Sequence, residues 1–198
     1  MNERSHHNTS WNYFLALEGD IERVARYIEL NEDNFKTYSI ELARLLMASC
    51  AEIDVIFKGV SQYINPESTA NNITDYTRII FDHYPELNLT TIISPRYRLN
   101  FKPFSCWSKS HAPDWWTANN KIKHKRDTYF HLANLGNCLN AIAALFWLNI
   151  QSNHQIHCAY AKSFGGHLAP PELKYTFSNL TPPSTLFQLN EPWLYFRD

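Results

Sequence analysis

Leu42, Leu45, Leu46, Ser49, Ile53, Ile56, Phe57, Val60 and Ile64 recur at spacings of three and four, which puts them on one side of a cylinder with 3.6 residues per turn. The spacing predicts a helix opened by Tyr38-Ser39 and closed by Asn65-Pro66. At about 25 residues it would run roughly 37 Å, enough for the central rod of a bundle. Before it, Ser10 as a cap predicts a short helix over 11–17 that Gly19 would end. The apolar spacing over 21–28 fits a helix and an irregular strand equally well, and 31–34 is a polar break. After it, Ile73, Tyr76, Ile79, Ile80 and Tyr84 share one side of a second amphipathic helix over 71–84, stopped by Pro85.

Past Leu89 the period drops to two. Residues 90–93 and 96–104 are rich in β-branched and aromatic side chains, Tyr97, Leu99 and Phe101 alternate with Arg98, Asn100 and Lys102, and Ser94-Pro95 between them predicts a turn in a small strand pair. An aromatic loop over 105–112 leads into the densest stretch of the chain, 113–148. Pro113-Asp114 predicts a helix entry with Asp114 accepting the orphan N–H groups. Trp116, Asn120, His124, Asp127 and His131 form one polar stripe if that helix continues to His131. Asn134 then caps a further helix whose Leu135, Leu139, Ile142, Ala143, Phe146 and Ile150 repeat along one face, and it favours a break between the two. Beyond Ser152 the pattern dissolves into a tail punctuated by Gly165-Gly166, Pro170-Pro171 and Pro182-Pro183. Tyr175, Phe177, Phe187, Trp193, Tyr195 and Phe196 are expected to drape over the core and fill its gaps. The expected fold is mainly α, an up-and-down helical bundle with a short β excursion near 90–104 and an irregular C-terminal tail over 153–198. A chain of 198 residues makes this one domain with its core over about 10–152.

Composition narrows the class. With 44% hydrophobic, 15% aromatic and 19% charged residues the chain is too rich in core-forming side chains to be disordered. A formal net charge of -1 gives no global attraction to nucleic acid, so any such contact must come from a local patch. Cys50, Cys106, Cys138 and Cys158 form no C-x-x-C pair and read as reduced thiols of a cytoplasmic protein. The first ten residues lack the apolar run of a signal peptide, and the longest apolar run, 141–150, is about half of what a membrane crossing needs, so no membrane role is expected. There is no internal repeat, Walker loop, dinucleotide glycine fingerprint or G-x-S-x-G elbow.

Candidate chemistry gathers between Asn120 and His131. Imidazole near neutral pH takes or gives a proton, and a guanidinium offers a fork of donors to a phosphate. His124, Arg126 and His131 together are parts for metal-independent cleavage of an RNA phosphodiester by its own 2′-hydroxyl, with histidine as base or acid and arginine holding the charge of the phosphorane. Lys123 and Lys125 would steer the backbone. The opposing reading pairs Arg126 with a buried acid, Glu52 or Asp54, and leaves the histidines bonded within the fold. Glu52 is either a solvated edge residue or a buried acid bonded to this stretch, since a buried carboxylate needs a partner. Trp107, Trp115 and Trp116 read as core residues of a helix entry before they read as base-stacking platforms. His154-x-x-His157-Cys158 has no matching second pair at zinc-site spacing, His111 and His167 stand alone, and no metal or cofactor is expected.

The run Arg126-Asp127-Thr128-Tyr129-Phe130-His131 resembles the R-x(4–6)-H motif of the HEPN superfamily. Asn120-Lys121-Ile122-Lys123-His124-Lys125-Arg126, with Trp115-Trp116 before it and Asn134 to Phe146 after it, is similar to a group of bacterial HEPN-like proteins carrying an N-x-x-K-H-x-R signature. The stretch around Glu41-Leu42-Ala43-Arg44 and Glu52-Ile53-Asp54 is similar to that group's first half, and the likeness ends near Ile150. The resemblance implies a helical bundle, often a homodimer, whose active members cleave RNA without metal or cofactor using arginine and histidine of paired subunits. It makes Arg126 and His131 the catalytic candidates, with His124 competing for the histidine's role. Asp127, Lys123, Asn120 and Glu52 would support them. Other members of the superfamily are non-catalytic modules for dimerisation or for binding a nucleotide or a partner protein, which is the alternative expectation.

Overall fold

The computed structural model describes residues 9–163 and 180–190, with side chains described over 9–156 and 180–190. Its helices are α1 (Thr9–Val24), α2 (Ile40–Ile64), α3 (Ile73–His83), α4 (Asp114–His124), α5 (Arg126–Tyr129) and α6 (Leu135–Ser163). Three short strands, β1 (Ile92–Ser94), β2 (Leu99–Phe101) and β3 (Gln188–Leu189), complete a mainly α fold. No helix among the described residues is long and apolar enough to cross a membrane.

The central rod is α2, 25 residues long. Ser39 caps it, its hydroxyl accepting from the Leu42 amide at 3.1 Å. Every residue of the expected stripe from Leu42 to Val60 is buried, and Ile64 packs half-buried at the end. Because an N-cap side chain satisfies an amide that the helix leaves orphaned, Ser39→Ala is expected to lower stability by about 1 kcal/mol, read as a lower urea midpoint with an unchanged slope.

The most extensive helix pair is α2 with α6, and α1 and α4 pack against both. Residues 141–150 of α6 are all buried, so their nearly continuous apolar run, broken by Asn149 alone, reflects a helix enclosed on every side. That helix does not stop where its apolar pattern does. Asn149, Gln151, Asn153, His154 and Gln155 are also buried. Gln151 and Gln155 each donate from Nε2 to the Tyr84 hydroxyl at 2.7 Å, and Asn149 donates to the Leu145 carbonyl. Polar side chains with such partners can sit in a core, so the periodicity lapses near Ser152 while the helix runs on.

Three further expectations at helix termini are corrected. Gly19 does not end α1, which continues to Val24, and Ser10 lies inside the helix instead of capping it. Pro113 is the N-cap of α4 and Asp114 its first helical residue, with no side-chain cap bond. The helix breaks at Lys125 (φ -145°, ψ 61°), and after the single turn of α5 a 3-10 segment, Phe130–Leu132, leads to Asn134. Asn134 Oδ1 then accepts from the Asn137 amide at 2.9 Å, as a cap should. The polar stripe imagined from Trp116 to His131 is therefore cut at His124.

The strand pair forms antiparallel, with Ile92 opposite Phe101 and Ser94 opposite Leu99, and Arg98 takes the left-handed conformation (φ 54°) that reverses the chain. What the local pattern does not show is the third strand. Ile92 also pairs with Leu189, so the chain near its end joins the sheet in the order β2-β1-β3. Leu180, Leu186 and Phe187 are buried, with the Phe187 ring against those of Phe14, Phe101 and Phe146. The turn is also bonded to a buried acid of α1. Glu18 accepts from Ser184 Oγ, from the Thr185 amide (3.2 Å) and from the Leu186 amide (3.0 Å). Of the tail aromatics expected to fill gaps, Phe187 does so; Tyr175, Phe177, Trp193, Tyr195 and Phe196 lie outside the described residues.

Candidate functional site

The segments before α2 and α6 are clasped together. Leu135 and Gly136 donate to the Thr37 and Phe35 carbonyls at 2.8 and 3.0 Å, and Tyr38 bridges to Asn134. A Cβ on Gly136 would lie 3.2 Å from that of Phe35, so only glycine allows so close an approach without the ring giving way. The edge of the Tyr38 ring meets Phe130, 5.6 Å between centroids. This clasp holds α5 beside the first half of α2 and leaves a cleft of about 780 Å³ between them. Ile40, Ala43, Arg44 and Met47 form one wall, and Arg126, Asp127 and Phe130 the other.

Two guanidinium groups reach this cleft in different electrostatic states. Arg44 is neutralised, donating to Glu41 and, at 2.6 Å, to Asp20 of α1. The hydrogen bonds from Arg44 hold the Glu41 carboxyl below its ordinary value and raise the arginine in turn. The unfolded chain therefore binds a proton at Glu41 before the folded chain does. That contribution to stability is present above the ordinary carboxylate value of 4.5 and is lost as pH falls through the lower folded value. A urea midpoint followed from about pH 6 to about pH 3 should fall less steeply in Glu41→Gln than in the parent.

Arg126 is exposed, and its nearest polar contact is the Met47 sulfur, 3.7 Å from Nη2. Among the described residues no carboxylate lies within ion-pair distance of it, and the same holds for Lys121, Lys123 and Lys125. Lys121 instead lies over the Tyr129 ring, 5.3 Å from its centroid. These four cations and His124 are exposed and lie within six consecutive residues, a local basic run on a chain whose overall charge is near neutral.

The structure brings Arg126 and Asp127 into the cleft together. His124 ends α4, His131 lies in the 3-10 segment, and both are exposed outside the cleft lining, as are Lys123 and Asn120. Glu52 is the correction. It is half-buried and accepts from Ser10 Oγ at 2.6 Å, so its partner is α1 and not the 113–148 stretch. Glu52 follows Met47, the Arg126 contact, by five residues, about 140° further round α2, which turns it away from Arg126. Asp54, the other acid considered, is bonded to Lys58 and to the Tyr76 hydroxyl. Trp107, Trp115 and Trp116 are buried, which removes them as stacking platforms. Cys50 and Cys138 are buried free thiols, pushed up by burial, and take no part in a site.

Sequence reading missed the α2 wall of the cleft, for which the Glu41–Arg44 spacing of three was the available signal. It also missed a group able to hold a metal. Cys106, His111 and Asp114 present ligand atoms within 4.8 Å of one another, at a spacing, C-x4-H-x2-D, that no common zinc motif uses.

Compared with family models, curated proteins and solved structures, the chain has no match in any of the three.

Proposed function

We propose that the α4–α5 segment is an RNA-binding and RNA-cleaving site of HEPN type, acting without a metal through 2′-hydroxyl attack. The observation that carries this reading is Arg126, an exposed guanidinium with no carboxylate partner among the described residues, facing a cleft beside the basic run. A guanidinium sealed by Glu52 or Asp54 could not bind a phosphate, and both acids are bonded elsewhere. Lys121, Lys123 and Lys125 attract the backbone, Arg126 binds the phosphate and the charge that builds on it, and His131 or His124 moves the proton. Neither histidine lines the cleft of a single chain. The complete site therefore forms in a homodimer, where the second subunit brings a histidine to the first subunit's Arg126.

That same separation favours a second reading, in which the basic run binds RNA or a nucleotide without turnover, or docks a partner protein. The two part on one assay. Purified protein with mixed RNA in excess EDTA is expected to yield fragments ending in 2′,3′-cyclic phosphate. Binding without any fragments would select the non-catalytic module, and neither binding nor cleavage would overturn every RNA reading and leave the docking of a partner protein.

A further inference from the structure

We infer that Cys106, His111 and Asp114 form a binding site for one divalent ion of the zinc class, with water completing its coordination. Thiolate, imidazole and carboxylate supply sulfur, nitrogen and oxygen, a set that suits zinc and disfavours calcium and magnesium, which ask for oxygen on nearly every side. Tetrahedral bonds of about 2.0–2.3 Å put neighbouring donor atoms roughly 3.5 Å apart. His111 Nε2 is already 3.2 Å from Asp114 Oδ1, and no pair in the triad exceeds 4.8 Å, so side-chain rotation of about 1 Å closes the set.

The backbone under the triad is fixed by buried groups. Trp107 is buried and donates to Thr77 Oγ1 at 2.8 Å, and Trp115 is buried and donates to the Pro103 carbonyl at 2.7 Å. Between them Ser108 and His111 pair across a tight turn, Ser108 N to His111 O at 2.9 Å, which aims the imidazole back toward Cys106. The neighbouring cation is accounted for, since Lys109 lies 3.9 Å from Asp82, outside the triad. Asp114 occupies the first position of α4, so its carboxylate offsets the positive helix end that would otherwise repel a cation.

A thiol binds such an ion as the thiolate, so the S–H bond breaks as the sulfur–metal bond forms, and the proton passes to water. Bound metal would tie the 103–112 loop to the start of α4, leaving an open coordination position facing solvent. The site sits about 15 Å along α4 from His124, so it does not depend on the RNA-cleavage reading.

Cobalt(II) added to the full-length, metal-free protein tests the assignment. One cobalt per chain is expected, with the near-ultraviolet absorption of a thiolate–cobalt bond, and added zinc should bleach it. Cys106→Ser should abolish that absorption, while Cys158→Ser should leave it intact. His111→Ala, at an exposed position that carries little of the fold, should weaken binding at least tenfold, given that even outer-shell changes cost about 10–100-fold. At one zinc concentration the melting temperature of the parent should rise more than that of His111→Ala. No absorption in the parent, absorption surviving Cys106→Ser, or unchanged affinity in His111→Ala would each overturn the site.

Discussion

Arg126→Ala is expected to lower RNA cleavage by about 100- to 1000-fold, the range seen when one donor to a developing oxyanion is removed. Its effect on stability should be within about 0.5 kcal/mol, because the side chain is exposed and its nearest polar contact is a thioether. A loss of activity without a loss of fold is what distinguishes a phosphate-binding arginine from a structural one. The histidines are then separated by variants of each. Removing the proton-transfer group costs about 100- to 10,000-fold, so His131→Ala and His124→Ala should differ sharply, and the silent one is excluded from catalysis. Mixing Arg126→Ala with His131→Ala protein adds a test of the shared site. If arginine and histidine come from different subunits, heterodimers recover part of the activity that neither variant has alone. Cleavage by Arg126→Ala at the parent rate would sink the assignment.

Glu18→Ala is expected to have the largest effect on stability, about 3 kcal/mol, for a reason unrelated to the cleft. The carboxylate is buried, and it accepts from two backbone amides and the Ser184 hydroxyl of a turn that follows it by more than 160 residues. Truncation leaves the amides of Thr185 and Leu186 without acceptors, and a buried donor left unsatisfied costs about 1–3 kcal/mol. For a chain of this size that corresponds to a fall in melting temperature of about 6–12 °C. Glu18→Gln keeps the shape and one acceptor oxygen and should lose about half as much. Faster hydrogen exchange at the Leu186 amide in Glu18→Ala would locate the damage at the turn; an unchanged melting temperature would mean that Phe187 packing alone holds it.

The candidate site was legible to different depths. Arg126 stood out because basic residues crowd around it in sequence, and crowding of that kind survives folding when the segment is exposed. Its surroundings did not stand out. Met47 is 79 residues away, and nothing in the spacing of either segment announces that α5 lies along α2. The Glu52 partner failed for the same reason, since Ser10, 42 residues away, reached it first. The Cys106 triad is local, within nine residues, but its members converge only because Trp107 and Trp115 are buried and the turn between Ser108 and His111 closes.

Local order was determined by the sequence alone. The capped start of α2 and its apolar stripe, the short α3, the strand pair around Pro95 and the Asn134 cap are short-range consequences of period and of single side chains bonding to their neighbours' amides. The tertiary structure alone decided which polar groups are spent on each other. Glu18 is committed to the far tail, Arg44 to Asp20 and Glu41, and Glu52 to Ser10, while Arg126 stays clear of every described acid. A carboxylate can satisfy several donors at any distance along the chain, and a cation's availability depends on which carboxylates packing brings within reach, a quantity that spacing along a sequence does not carry.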